Sequence, residues 1–162
     1  MVVKQKIFYL GLSITLIFHA LFFMRPLTGL PIRDDMFKEA QIASIISMEI
    51  KSGKLPLWNI ITNDIFIPYS NQILIGIINC ITNSPMISLQ IYALILSIVS
   101  FSGMYLFLND KLNACIPSIL GSFLYVFSIK YLDELLRGHF PLLTGYSLLP
   151  IFMFLLRRFL LY

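Results

Sequence analysis

From residue 65 to residue 109 the chain runs for 45 residues without a single Asp, Glu, Lys or Arg. A stretch of that length has no charged face to turn to water, so it must be sunk in protein or in lipid. At about 20 apolar residues per crossing, it has the length for two passes of a bilayer. Three more charge-free runs, residues 7–24, 112–129 and 140–156, hold 18, 18 and 17 residues. Only 12% of the chain is charged and 58% is hydrophobic, whereas a soluble domain carries roughly a quarter charged residues. The chain therefore reads as an integral membrane protein, an all-α polytopic helical bundle.

The long run divides at Asn79, Asn83, Ser84 and Pro85. Its first part has only a short unbroken apolar stretch, 73–81, which predicts an interfacial or re-entrant segment over 65–83. The second part is long enough to cross. Spans are expected near 7–24, 86–108, 112–129 and 140–158, in one membrane domain covering 1–162; the alternative is a fifth crossing over 65–82. Lys4 and Lys6 precede the first apolar run, but Phe22-Phe23-Met24-Arg25 offers no small-residue cleavage site, so this run is expected to be an uncleaved anchor.

With four spans, Lys4, Lys6, Lys111, Arg157 and Arg158 fall on one side with a single acid, Asp110. The basic excess near span ends orients that side, and the N-terminus with it, to the cytoplasm of a cell-membrane protein. The net charge of +4 then describes topology and lipid contact, and gives no support to nucleic-acid binding. Cys80 and Cys115 have no neighbouring thiol or histidine in sequence, so neither a disulfide framework nor a zinc site is implied. No phosphate-binding or dinucleotide-binding glycine motif is present.

Chemistry is concentrated in two loops expected outside. The first, residues 25–64, is long for a connection inside a bundle. Pro26 and Pro31 stop the first helix, Asp34 and Asp35 open another, and Gly53 and Pro56 end it. Met36, Ala40, Ala43, Ile46 and Ile50 form one apolar stripe with Lys38, Gln41, Glu49 and Ser52 roughly opposite, the pattern of an amphipathic interfacial helix. Asp34 and Asp35 suit helix capping; the second role open to them is as hard oxygen ligands or proton acceptors at a surface site.

The second loop, residues 130–141, holds Lys130, Asp133, Glu134, Arg137 and His139 between apolar runs. Asp133 and Arg137 have the spacing of a stabilising i,i+4 pair, consistent with one solvated helical turn. The same residues can also build a metal and phosphate site, with Arg137 clamping phosphate oxygens and His139 donating a hydrogen bond or moving a proton. His19, inside the first run, is a weaker candidate. Trp58 suits an interfacial anchor or the lining of a substrate groove.

In order, the chain presents an anchor span, Arg33-Asp34-Asp35, an amphipathic helix, Gly53-Lys54-Leu55-Pro56-Leu57-Trp58-Asn59, a tight two-span hairpin and an acidic loop. Arg137-Gly138-His139-Phe140-Pro141, Gly145-Tyr146 and Leu149-Pro150 follow. This series resembles the N-terminal part of a GT-C-type integral membrane glycosyltransferase, of the YfhO-like polytopic kind. The resemblance implies transfer of a sugar from a polyprenyl-phosphate-linked donor at the outer face, assisted by a divalent cation, Mg or Mn. It casts Asp34 or Asp35 as the catalytic acid that orients or deprotonates the acceptor. Asp35, Asp133 and Glu134 become cation ligands, and Arg137, His139 and Trp58 contact substrate. Members of that class carry more spans, so the chain is expected to be one portion of a larger fold, incomplete alone, associated with another membrane subunit or with itself. Two other functions fit the same sequence: a non-catalytic membrane scaffold or partner subunit, and a small transporter. The scarcity of charge at mid-membrane depth weighs against the transporter.

Overall fold

The computed structural model describes residues 2–24, 34–54 and 70–161. Trp58 lies outside the described residues, as do Arg33 and the side chains of His19, Asp34 and Asp35. Among the described residues there are seven helices: α1 (Val2–Met24), α2 (Asp34–Lys51), α3 (Ser70–Thr82), α4 (Pro85–Leu112), α5 (Cys115–Val126), α6 (Ile129–Arg137) and α7 (Phe140–Leu161). The chain is an all-α bundle.

The helix boundaries follow from local chemistry. Asn83, in the left-handed region at φ 52°, closes α3, and the extended Ser84 leads into Pro85, whose missing N–H costs nothing in the first turn of α4. Asn113, also left-handed at φ 50°, ends α4. The run expected over 112–129 is interrupted at Phe127, and a new helix begins with Ser128 as its cap, the hydroxyl accepting from Tyr131 N at 3.3 Å. Residues 129–137 thus form a helix of two and a half turns, with Tyr131, Glu134 and Leu135 buried.

Among the described residues, three stretches are long and apolar enough to cross a membrane: α4, the combined length of α5 and α6, and α7. The protein is therefore an integral membrane protein. Along the bundle, α4 and α7 run in the same direction, since Tyr92 meets Thr144 at 2.9 Å, Gly103 abuts Ile151 and Asp110 binds Arg157. α5 returns antiparallel along α4, with Phe123 against Phe101 at 5.3 Å. α1 is antiparallel to α4: the Phe8 ring lies tilted against Tyr105 at 4.6 Å, and Phe18 meets Phe127, at the end of α5, at 4.8 Å.

Close approach of the helices depends on small residues. A Cβ at Gly103 would stand 2.5 Å from Ile151 Cγ1 and 3.2 Å from its backbone nitrogen. Ser88, Ser97, Ser100, Ser118, Ser122 and Ser147 are all fully buried, the composition expected where helices pack through van der Waals contact and hydrogen bonds rather than through water exclusion. Pro150 cannot donate to the carbonyl four residues back. That orphaned acceptor, Tyr146 O, instead takes the Tyr125 hydroxyl at 2.6 Å, so α7 runs on to Leu161.

Charge marks two ends. Asp110, Lys111, Arg157 and Arg158 sit at one, and Glu39, Lys130, Asp133, Glu134, Arg137 and His139 at the other. From His139 to Arg157 the rise along α7 is about 27 Å, close to the thickness of about 30 Å of a hydrocarbon core. α3, at about 20 Å, is shorter than that core. It lies parallel to α2, with Gln72 donating to Glu39 at 3.3 Å and Asn79 to the Ala43 carbonyl at 3.4 Å. The apolar stripe of α2 faces protein: Met36, Ala43 and Ile46 are buried, with Ile46 packed on Gly76. Glu49, expected on the polar face, is buried too.

Candidate functional site

The end of the bundle where α2, α6 and α7 meet brings together Lys38, Glu39, Lys130, Asp133, Glu134, Arg137 and His139. Gly138, at φ 75°, ends α6 and reverses the chain into α7, a conformation that other L-residues resist. A Cβ here would meet Met36 Cγ at 2.6 Å and Met36 N and Cα at 3.1 Å. The first turn of α2 therefore lies directly on the α6–α7 turn, and Asp34 and Asp35 enter α2 immediately before this contact.

Consecutive helix positions point about 100° apart, and α6 uses this to separate its two acids. Asp133 faces outward, one-third exposed, and pairs with Arg137 Nε at 2.9 Å. Glu134 faces inward and is 2% exposed. Its Oε1 is bound by Lys130 one turn earlier, and its Oε2 accepts from His139 Nδ1 at 2.7 Å. A buried carboxylate is tolerable only with such partners. In return Glu134 fixes the ring of His139 and places its proton on Nδ1. Lys130 reaches the same carboxylate from the exposed side, so the cluster bridges water and protein interior.

His139 borders a pocket of about 360 Å³, open to the surface, whose wall also includes Lys38, Glu39, Ile42, Pro141 and Leu142. One side is ionic and the other apolar. Glu39 reaches across to Gln72 of α3, which ties the pocket wall to the α2–α3 pair.

Of the residues expected to act, the structure brings Glu134 and His139 into one hydrogen-bonded unit and sets Arg137 on Asp133 instead. Asp34 and Asp35 begin α2 beside this unit, with their carboxylates outside the described residues, as is Trp58. Among the described residues, no three His, Cys, Asp or Glu side chains stand together in a way that could hold a metal ion. Asp133 and Glu134 are each engaged by basic side chains within about one turn of the chain, and the carboxylate of Asp35, the third expected ligand, lies outside the described residues. Lys38 and Glu39 were not anticipated as site residues. The position of Lys38 on α2, opposite its stripe, was readable, but the placement of Lys38 and Glu39 against α7 depends on the Met36–Gly138 contact.

No family model, curated protein or solved structure matches the chain.

Below α6 the bundle interior carries a second polar feature. The buried hydroxyl of Tyr131 lies 3.3 Å from Ser100, 3.4 Å from Ser147 and 3.5 Å from Ser97. Ser97 and Ser147 donate back to the carbonyls of Ala93 and Leu143 and Ser100 donates to the Tyr131 hydroxyl, so the hydroxyls join α4, α6 and α7 into a shared network. This seam anchors α6 to the bundle, and thereby holds Glu134 and His139 at their depth.

Proposed function

We propose that the chain is a membrane glycosyltransferase-like module of the GT-C kind that receives a phosphate-linked lipid in the pocket between α2 and α7, at the outer face of the cell membrane. The observation that carries this is the Glu134–His139 pair beside Lys38 in a pocket with one apolar wall. A polyprenyl-phosphate sugar donor has the matching chemistry: an anionic head for Lys38 and His139, and an apolar tail for Ile42, Pro141 and Leu142. His139, oriented by a carboxylate, is built to hold or move a proton at the reacting oxygen, while the cation stabilises charge on the departing phosphate. Asp34 or Asp35, entering α2 beside the pocket, is the proposed acid that orients the acceptor. No step is assigned to a metal ion.

Orientation is part of the same proposal, with the N-terminus and the Asp110 end in the cytoplasm. Single cysteines at Lys51, Lys111 and Lys130, after replacement of Cys80 and Cys115, test it: impermeant reagent applied outside should label positions 51 and 130 only. Labelling at 111 would reverse the orientation.

The functional test is retention of a polyprenyl-phosphate sugar by the full chain in nanodiscs, followed by sugar transfer. His139→Ala should weaken retention and lower any transfer by about 10²–10⁴-fold, the usual weight of a proton-transferring group. Unchanged retention in both His139→Ala and Lys38→Gln would sink the proposal. A scaffold role is the second candidate, favoured by the fact that both α6 carboxylates already have intramolecular partners. It predicts that these substitutions alter association with another membrane subunit or a second copy, or stability, and leave lipid retention untouched.

A further inference from the structure

The opposite end of the bundle carries a cluster that the proposed transfer does not use. Asp110, near the end of α4, binds two guanidinium groups of α7 at once. Arg157 Nη1 reaches Oδ2 at 2.7 Å, and Arg158 Nη2 reaches Oδ1 at 2.6 Å. Lys111 is exposed next to them. Three cations thus stand against one carboxylate, and the excess is positive.

The two arginines are not equivalent. Arg158 is the more exposed, at 48% against 34% for Arg157. Its guanidinium lies 5.5 Å from the centroid of the Phe154 ring, held by the carboxylate on one side and the aromatic face on the other. It borders a pocket of about 250 Å³ between α4 and α7, lined also by Leu106, Asn109, Asp110, Asn113 and Phe154. Asn109 Oδ1 is buried at this pocket with no hydrogen-bond partner. An orphaned carbonyl oxygen needs a donor, which a bare phosphate diester ion does not supply.

A fixed guanidinium, an unsatisfied acceptor and an apolar floor therefore meet at the edge of the charge-free slab. Phospholipid headgroups lie at that depth, and basic pockets between membrane helices suit anionic ones. We propose that this pocket holds the headgroup of an anionic phospholipid, its phosphodiester on Arg158 and a headgroup hydroxyl donating to Asn109 Oδ1. The site is independent of the polyprenyl-phosphate pocket, which lies at the other end of the helices.

The full chain in nanodiscs of phosphatidylcholine with a minor share of phosphatidylglycerol tests this, read by native mass spectrometry of the lipids it retains. The expected result is enrichment of phosphatidylglycerol over its share of the bilayer. Arg158→Gln, which keeps the Arg157–Asp110 link between α4 and α7, should reduce that enrichment by about five-fold, the weight of one cation beside an anionic lipid surface. Asp110→Asn should leave it equal or raise it, because it removes the competing carboxylate. A purely structural lock predicts that both substitutions act in the same direction. No enrichment in the unaltered chain, or equal loss in both variants, would overturn the proposal. So would displacement of the retained lipid by inorganic phosphate, which would make the site one for a soluble anion.

Discussion

At each end of the bundle one carboxylate gathers two basic partners, but the partners come from different places. Glu134 is served by Lys130 and His139, four and five residues away. Asp110 is served by Arg157 and Arg158, from a helix 47 and 48 positions further along the chain. The first cluster is made by one helix and its C-terminal turn, and exists wherever α6 folds. The second exists only if α4 and α7 have found their register. Burial differs as well, since the Glu134 side chain is 3% exposed and that of Asp110 is 15% exposed. Local pairing has thus allowed a deeply buried charge, while pairing between helices has been kept nearer the surface, where an error costs less.

The sharpest way to break this comparison is to strip Glu134 of its partners without touching it. The double substitution Lys130→Met with His139→Phe leaves the Glu134 carboxylate buried without either partner, and should be the most destabilising change considered, because an uncompensated buried charge is costly. Glu134→Leu, which removes the buried charge itself and leaves Lys130 and His139 partly in water, should cost less than about 1 kcal/mol by the same reasoning. Thermal unfolding in a fixed detergent checks both. Equal losses would mean that the carboxylate is far better solvated than its burial indicates.

A smaller effect is expected at Gly138, which joins the local cluster to α2. Valine there meets both a left-handed backbone and the Met36 main chain at 3.1 Å, so a loss of about 2 kcal/mol is expected from strain and overpacking together. Stability unchanged in Gly138→Val would place α2 away from the α6–α7 turn, and with it the pocket wall formed by Lys38.

At the other end, Asp110→Asn should cost only about 0.5–1 kcal/mol, the range for partly exposed ion pairs. The register of α4 on α7 is also set by Gly103 against Ile151, so the helices should stay aligned. Cross-linking by a short bifunctional thiol reagent between cysteines at 92 and 144, which leaves Gly103 and Ile151 in place, before and after the substitution would show whether the carboxylate or the packing fixes that register.

How much of this was legible in the sequence follows the same division. The i,i+4 spacing of Asp133 and Arg137 predicted a pair that the structure contains at 2.9 Å, and Glu134 and His139 stood out because they share one short segment. The burial of Glu134 did not show, because it depends on Tyr131 reaching Ser97, Ser100 and Ser147 on two other helices. Asp110, Arg157 and Arg158 could be read only as boundary charges, since nothing in a linear pattern says that α4 and α7 run side by side in the same direction. The stripe on α2 was visible, but whether it faced lipid or protein was settled by Gly76, whose lack of a side chain admits Ile46.

Tyr125 and Pro150 supply a third case, a helix-to-helix contact at mid-depth, and the smallest expected effect. Loss of the Tyr125 hydroxyl leaves the Tyr146 carbonyl with no partner, because Pro150 has no N–H to offer. In lipid-facing helices such bonds contribute about 0.6 kcal/mol on average, so Tyr125→Phe should destabilise by about that amount. Pro150→Ala restores a donor to the same carbonyl through the helix itself, and in that background Tyr125→Phe should cost close to nothing. The double-mutant cycle therefore carries the test: a coupling near the full single-mutant loss makes the tyrosine a substitute for the missing backbone bond. Independent, additive losses would mean that Tyr125 acts through packing alone, and that contacts between helices in this bundle are fixed by shape rather than by the hydrogen bonds that cross it.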